Sequence, residues 1–196
     1  MKHFYERLVC LTLALMLLAS PGFTESLTLK SPKNLNSAIA TLESLKEDAG
    51  ALEVTGSKSW KKKVKIMNWY HGGSSVLRLG GYGYIYDIKT GIRIRVKRCG
   101  GTSHADVEPA TKKDTAKLKK ISGGHFSWDR RPVILYSHGK YVACSINTQP
   151  HGKQTIHNNG YNGQFCLHMA YSRTHGSNRV DEDHMECIKK AYNWAH

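Results

Sequence analysis

Acidic side chains and long apolar runs are both scarce in this 196-residue sequence. It has 15 Asp and Glu residues against 29 Lys and Arg residues, which gives a formal net charge of +14. After Leu18 no apolar run approaches membrane length, so we expect no later segment to cross a bilayer. The positive charge favours anionic partners, although a merely solvated basic surface would have the same composition.

The N-terminal residues 1–24 have the pattern of a secretory signal peptide. A short charged stretch with Lys2 and Arg7 precedes the apolar run Leu8–Leu18, and small and turn-forming residues follow. This run is too short for a permanent membrane anchor. The sequence therefore predicts a secreted protein that meets the membrane only through its signal segment, before cleavage.

Cysteine is scarce and irregularly spaced in the rest of the chain, where only Cys99, Cys144, Cys166 and Cys187 occur. They form no CxxC pair and lack zinc-knuckle spacing, which argues against a metal site built on cysteine alone. Four cysteines in an exported chain could form two disulfides, but at most one if a cysteine is a nucleophile. The sequence leaves open whether Cys99, Cys144 and Cys187 are core thiols or include a disulfide.

Two regions follow the signal segment. Residues 25–60 are predicted to be a linker with a short amphipathic helix, because apolar residues recur at helical spacing between Leu35 and Leu45. Residues 61–196 are long enough for one hydrophobic core and too short for two. We therefore expect a single domain in that region.

The pattern from Val64 onward is that of short strands separated by glycine-rich turns. Strands are predicted at VKIMNW, SVLRL, GYIYDI, IRIRVKR, PVILYS and KYVACSI, with hairpin turns at 89–91 and 138–139. Thr111 with Asp114 is typical of a helix start, and Asp181 is the expected N-cap of a C-terminal helix. These elements predict an α+β fold with a mostly antiparallel, sandwich-like core and one or two flanking helices.

A long loop rich in Gly, Asn and His, residues 147–164, precedes Cys166. A polar segment of this length in a small domain is usually functional or disordered. A thiol needs a nearby base to ionise at neutral pH, and imidazole is the usual one. Five histidines lie in or near this part of the sequence: His151, His157, His168, His175 and His184. Burial between Phe165 and Leu167 is the plainer interpretation of this cysteine.

The stretch His151-Gly152, followed by Cys166-Leu167-His168-Met169, resembles the signature of the L,D-transpeptidases of the YkuD type. That signature is His-Gly, a loop, Ser-His-Gly-Cys, and an Arg two positions after the cysteine. The resemblance covers about half of the chain, roughly residues 87–169, on the assumption of one domain. It implies a catalytic domain at 61–196 that transfers acyl groups of peptidoglycan stem peptides through a thioester, to an amine or to water. It implies no cofactor.

The resemblance also implies roles for individual residues. Cys166 would be the nucleophile and His151 its general base, with the backbone carbonyl of Gly152 orienting the imidazole. The backbone N–H groups of Phe165 and Cys166 would form the oxyanion hole.

The sequence departs from the signature beside the cysteine. Gln164-Phe165 stands where the family has His-Gly, and His168 stands at the Arg position. His168, Arg173 and His175 are expected to lie near the substrate carboxylates or the second stem peptide.

Several alternatives stay open. A zinc peptidase could use His104 and Asp106, which face the same side of a strand, with His168 or His175 as third ligand. A papain-like wall hydrolase fits poorly, because its cysteine precedes its histidine. A basic module that binds anionic wall polymers without catalysis rests on charge alone. Nucleic acid is not an expected partner, because no nucleic-acid-binding motif occurs.

Overall fold

The computed structural model describes residues 58–196. The predicted signal peptide and the linker helix fall on residues outside this range. Within it, no helix combines the length and the apolar character needed to cross a membrane.

The described chain contains seven strands and two α-helices. The strands are β1 (Val64–Lys65), β2 (Tyr82–Asp87), β3 (Arg93–Gly100), β4 (Ala105–Pro109), β5 (Arg131–Ser137), β6 (Lys140–Ile146) and β7 (Phe165–His168). The helices are α1 (Lys112–Ile121) and α2 (Glu182–Ala195), and short 3-10 turns span Lys58–Lys63 and Gly73–Ser75.

The sheet closes on itself. Its strand order is β1-β6-β5-β2-β3-β4-β7, and an additional pairing of β6 with β7 joins six antiparallel strands into a barrel. Strand β6 pairs with β1 in parallel at Tyr141 and Val142, and with β7 at Ser145 and Ile146. The predicted α+β class with flanking helices is confirmed, and a closed barrel is more specific than the sandwich-like core expected.

The local sequence signals give the correct elements where they are strongest. The hairpins β2–β3 and β5–β6 form as predicted. The Thr111 hydroxyl accepts a hydrogen bond from the N–H of Asp114, and the Asp181 carboxylate accepts one from the N–H of His184. Both helix starts are therefore confirmed, since each side chain satisfies a backbone donor that the helix leaves unpaired.

The strand predicted at SVLRL is wrong. This segment turns instead, because the buried guanidinium of Arg98 draws in its backbone: Arg98 Nη1 donates to the carbonyls of Ser74 and Leu77 at 2.8 and 2.9 Å. Only the first two residues of VKIMNW form a strand, and Asn68 makes a single bridge to Ala170. The sequence patterns did not indicate β4 and β7, which carry the site described below.

Two layers of apolar side chains stabilise the fold. One fills the barrel and includes Val133 and Leu135 of β5. The other lies between β5, β6 and α2, where Ile134 meets Ile188 and Ala191. Strand β5 is thus an almost continuous apolar run because both of its faces are covered.

The 147–164 loop is fixed to the barrel by the fully buried carboxylate of Glu108 on β4. Glu108 Oε1 accepts from the N–H and the hydroxyl of Thr155, both at 2.7 Å. Oε2 accepts from the N–H of Ile156 at 3.0 Å and from the Asn159 amide at 3.3 Å. One side chain therefore orders the segment that connects His151 to Cys166.

Replacing this carboxylate by an amide tests its role. Glu108→Gln points an NH2 group at backbone donors, so we expect a loss of about 2–3 kcal/mol in the free energy of unfolding, measured with urea. Limited proteolysis should then cut first within 153–160. The matched control is Glu186→Gln at an exposed position of α2. Equal stability of the two variants would contradict the anchoring role.

Candidate active site

Strand pairing brings the site together. In the β4–β7 register Asp106 lies directly opposite Cys166. One step before β7, Gln164 and His151 exchange two backbone hydrogen bonds of 3.0 and 2.8 Å. This bridge brings the two ends of the long loop together, so that His151 lies beside Cys166 although fourteen residues separate them in the sequence.

Cys166 and His151 form a thiol–imidazole pair. The Cys166 Sγ lies 3.3 Å from His151 Nε2, and His151 Nδ1 lies 2.9 Å from the carbonyl oxygen of Gln149. Because a carbonyl can only accept, Nδ1 carries the proton and Nε2 of the neutral ring is free to accept one from the thiol. The carbonyl that orients this imidazole is that of Gln149, and not that of Gly152 as the family resemblance implies.

The bulky residue beside the cysteine has a structural explanation. Phe165 and Leu167 are fully buried in the barrel core, whereas Cys166 faces the opposite side of β7, which borders a cavity. The backbone N–H groups of Phe165 and Cys166, which are expected to form an oxyanion hole, belong to strand β7 and pair with β4. Their role as an oxyanion hole stays a prediction.

A second imidazole, that of His104, approaches Cys166 from the residue just before β4. His104 Nδ1 donates to the Arg173 carbonyl at 2.6 Å, and its Nε2 lies 3.1 Å from Asp106 Oδ1. His175 Nε2 lies 3.1 Å from the same carboxylate oxygen and 3.0 Å from His104 Nε2. The sequence prediction that His104 and Asp106 share one face is confirmed, and His175 joins them.

These neighbours set the charge of the thiol. Burial by itself would raise the pKa of Cys166, but hydrogen bonds with His104 and His151 outweigh it and hold this pKa at about 6. Burial would lower the pKa of His104, but the hydrogen bonds to Asp106 and Cys166 raise it to about 10. The geometry therefore favours a thiolate between imidazolium groups, which is the reactive form of cysteine.

The other cysteines differ from Cys166. Cys99 is half-buried, and Cys144 and Cys187 are buried; all are free thiols. Burial raises the pKa of Cys99 to about 11 and that of Cys144 further still. Among the described cysteines, only Cys166 has its pKa lowered.

His168 lies behind the site in a stack of rings. Its ring centroid is 3.8 Å from that of His184 and 4.5 Å from that of His104. His184 Nδ1 is bonded to the Ser145 hydroxyl at 2.8 Å. Burial lowers the pKa of His168 strongly and that of His184 to about 3, so both rings are neutral. His168 therefore contributes an uncharged ring to the wall of the site.

A cavity of about 400 Å³ opens in front of Cys166. Its walls include residues that the sequence did not single out as well as several that it did: Trp128, Arg130, Asn147, His151, Gly152, Gln164, Cys166, His168, Thr174 and His175. Of the three residues expected at the substrate, His168 and His175 line this cavity.

Arg173 does not lie there. Its guanidinium lies 6.0 Å from the Tyr70 ring and donates to the Asn178 carbonyl at 3.4 Å. Its expected place near the substrate carboxylates or the second stem peptide stays a prediction. The guanidinium in the cavity wall belongs to Arg130, whose Nη2 lies 2.6 Å from Asp181 Oδ2. Only the sheet closure, which no local pattern specifies, brings Arg130 to this wall.

The structure brings together some of the zinc ligands predicted from the sequence. Within the described residues, the ligand atoms of His104, Asp106, Cys166 and His175 lie within 4.8 Å of one another. His168 is not part of this group, because its ring stacks on that of His104 and does not point at the same centre. Of the two third ligands that the sequence suggested, His175 and not His168 lies with His104 and Asp106, and Cys166 joins the group.

Comparison with family models, with curated proteins and with solved structures finds no match to this chain. The chemistry of the site must therefore be inferred from its own geometry.

The absence of a side chain at Gly163 allows the backbone of His151 to pack closely against it. Its φ is +122°, and a Cβ at this position would lie 2.6 Å from the His151 carbonyl oxygen. Gly160 also has a positive φ, +71°, but a Cβ there would meet only the Lys112 side chain at 3.8 Å. Gly160 is therefore a reference for a left-handed residue without a backbone clash, whereas Gly163 combines a clash with a φ further from the left-handed region.

We expect Gly163→Ala to cost at least twice as much free energy of unfolding as Gly160→Ala. The second change adds only the strain of about 1–2 kcal/mol for a left-handed alanine, whereas the first also displaces the His151 backbone. Urea unfolding of both variants gives the comparison. Similar losses would show that the loop accommodates a side chain at Gly163 and that the close approach is unimportant.

Proposed function

We propose that this chain is an exported cysteine acyltransferase that acts on peptidoglycan stem peptides, as an L,D-transpeptidase or a related L,D-carboxypeptidase. The observation that carries the proposal is the 3.3 Å contact between Cys166 Sγ and His151 Nε2 in the wall of an open cavity. The resemblance of His151-Gly152 and Cys166 to the family signature supplies the substrate class. The predicted signal peptide supports export.

The reaction follows from the two side chains. His151 takes the thiol proton, and the Cys166 thiolate attacks the carbonyl of the diamino acid at the third stem position. As the tetrahedral intermediate collapses, the imidazolium returns the proton to the nitrogen of the leaving D-alanine, which leaves an S-acyl thioester on Cys166. An amine of a second stem, or water, then attacks the thioester and loses its proton to His151, and the thiol is restored.

The surroundings of Cys166 suit this chemistry. His104 is held against Asp106, so a positive charge lies beside the thiolate throughout its formation. His151 Nδ1–H remains fixed on the Gln149 carbonyl while Nε2 exchanges the proton. Such fixed groups stabilise charge without having to reorganise during the reaction.

The cavity suits an acidic peptide. Its wall contains the Arg130 guanidinium, and within the described chain Arg130 Nε has no hydrogen-bond partner. The buried Oδ1 of Asn147 and the Nδ1 of His168 are also without partners there. A stem peptide offers carboxylates to the guanidinium, N–H groups to Asn147 Oδ1, and both donors and acceptors to the ring nitrogen of His168. The exposed ring of Trp128 provides an apolar face at the rim. The net charge of +14 adds attraction to anionic wall polymers.

A zinc peptidase is the second candidate, favoured by the convergence of His104, Asp106 and His175. A catalytic zinc ion needs an open fourth position for water. The Cys166 sulfur lies in the same group of ligand atoms, so it competes for that position. The acyltransferase is therefore the better supported function. The basic wall-binding module has no observation in its favour beyond charge.

Intact-mass spectrometry of the purified protein with a stem tetrapeptide tests the proposal. We expect the mass to rise by that of the acyl tripeptide, with loss of D-alanine, in the presence of EDTA. Cys166→Ala should form no adduct. His151→Gln should form it about 10²–10⁴ times more slowly, because the thiol loses its base.

The matched control is His157→Gln, an exposed histidine in the same loop, which should react at the rate of the unaltered protein. An adduct that persists in Cys166→Ala, or none in the unaltered protein, would overturn the proposal.

A further inference from the structure

Three possible ligand atoms converge beside Cys166. His104 Nε2, His175 Nε2 and Asp106 Oδ1 form a triangle with sides of 3.0, 3.1 and 3.1 Å. Around a tetrahedral zinc ion, nitrogen and oxygen ligands are about 3.3–3.6 Å apart, given bonds of about 2.0–2.2 Å. The triangle therefore matches one face of a zinc coordination tetrahedron to within a few tenths of an ångström.

The orientation of His104 supports a metal ligand. Its Nδ1 donates to the Arg173 carbonyl at 2.6 Å, which fixes the ring and directs Nε2 towards His175 and Asp106. Ligating histidines commonly bond a backbone carbonyl through the other ring nitrogen in this way. Without a cation, the three acceptor atoms repel one another unless protons lie between them.

The fourth ligand atom is the Cys166 sulfur. It lies within 4.8 Å of the other three atoms, so a small movement of the side chain would bring it to the Zn–S bond distance of about 2.3 Å. Two imidazoles, a carboxylate and a thiolate form a complete tetrahedral set for zinc, with no position left for water. Thiolate and imidazole together also select against magnesium and calcium, which prefer oxygen.

We propose that His104, Asp106, His175 and Cys166 bind a zinc ion, and that the bound ion holds the cysteine in an unreactive state. The second half of this inference rests on the proposed acyltransferase function. Zinc competes with His151 for the Cys166 sulfur, since a thiolate that shares electron density with the metal is a weaker nucleophile towards a carbonyl. Because zinc binds deprotonated ligands, its binding releases to solvent any proton that the ligand atoms held.

His175 provides the entry for the ion. Its side chain is 52% exposed, whereas those of His104 and Asp106 are 2% and 7% exposed. His104 and Asp106 are therefore the immobile ligands, and His175 is the ligand that can turn outward to admit or release the metal.

Metal binding is measured on the purified chain after zinc is stripped with a chelator. We expect one equivalent of zinc to bind by calorimetry, and cobalt to give the near-ultraviolet charge-transfer band of a thiolate ligand. His175→Gln should weaken zinc binding about 100-fold; it replaces an exposed side chain, so folding is preserved. Cys166→Ser should abolish the cobalt band. His157→Gln, outside the group, should bind zinc as the unaltered protein does.

The same samples test the effect on the thiol. One equivalent of zinc should reduce formation of the stem-peptide adduct at least tenfold, and EDTA should restore it. No stoichiometric zinc, or binding unaffected by His175→Gln, overturns the metal site while adduct formation still supports the acyltransferase. A cobalt–thiolate band in a protein that forms no adduct when stripped supports the site and overturns the function. Bound zinc that leaves adduct formation unchanged overturns the inhibitory role.

Discussion

The pairing of β4 with β7 is the constraint on which the site depends. Its register sets Asp106 opposite Cys166, and because side chains alternate across a strand, Phe165 and Leu167 point into the barrel core. A slip of one residue would bring the thiol into the core and the two apolar side chains out of it. Burial of Phe165 and Leu167 therefore fixes the position of Cys166, and packing and chemistry are specified by the same four residues of β7.

The site also depends on charge compensation around a buried sulfur. Cys166 is only 4% exposed, and burial of a thiolate is unfavourable unless opposite charge or donors surround it. His151 and His104 approach from different segments, one from the long loop and one from the residue just before β4. The resulting excess of imidazole beside a single thiol explains why the same group of atoms suits both a nucleophile and a zinc ion, which compete for one sulfur.

Local signals predict the parts of this fold that local interactions form. The alternation of apolar and charged residues around Ile94 predicts a strand, and Thr111 and Asp181 predict the two helix starts. The contact between His151 and Cys166 is expected only from the resemblance to a family signature. Strands β4 and β7 are not predictable in this way, because each is short and carries charged or polar residues among the apolar ones. The contact of His104 and Asp106 with Cys166, and the arrival of Arg130 in the cavity wall, require closure of the barrel. Pairing between distant segments decides that closure, and no short pattern specifies it.

Selective alkylation measures the central claim, that neighbouring imidazoles and not exposure make one thiol reactive. The metal-free protein is treated with limiting iodoacetamide at neutral pH, and modified peptides are quantified by mass spectrometry. Exposure alone favours half-buried Cys99, whereas its raised pKa of about 11 and the lowered pKa of about 6 at Cys166 favour Cys166. We predict that Cys166 reacts first and that His151→Gln slows it at least tenfold. Modification of Cys99 ahead of Cys166, unaffected by His151→Gln, would contradict the mechanism.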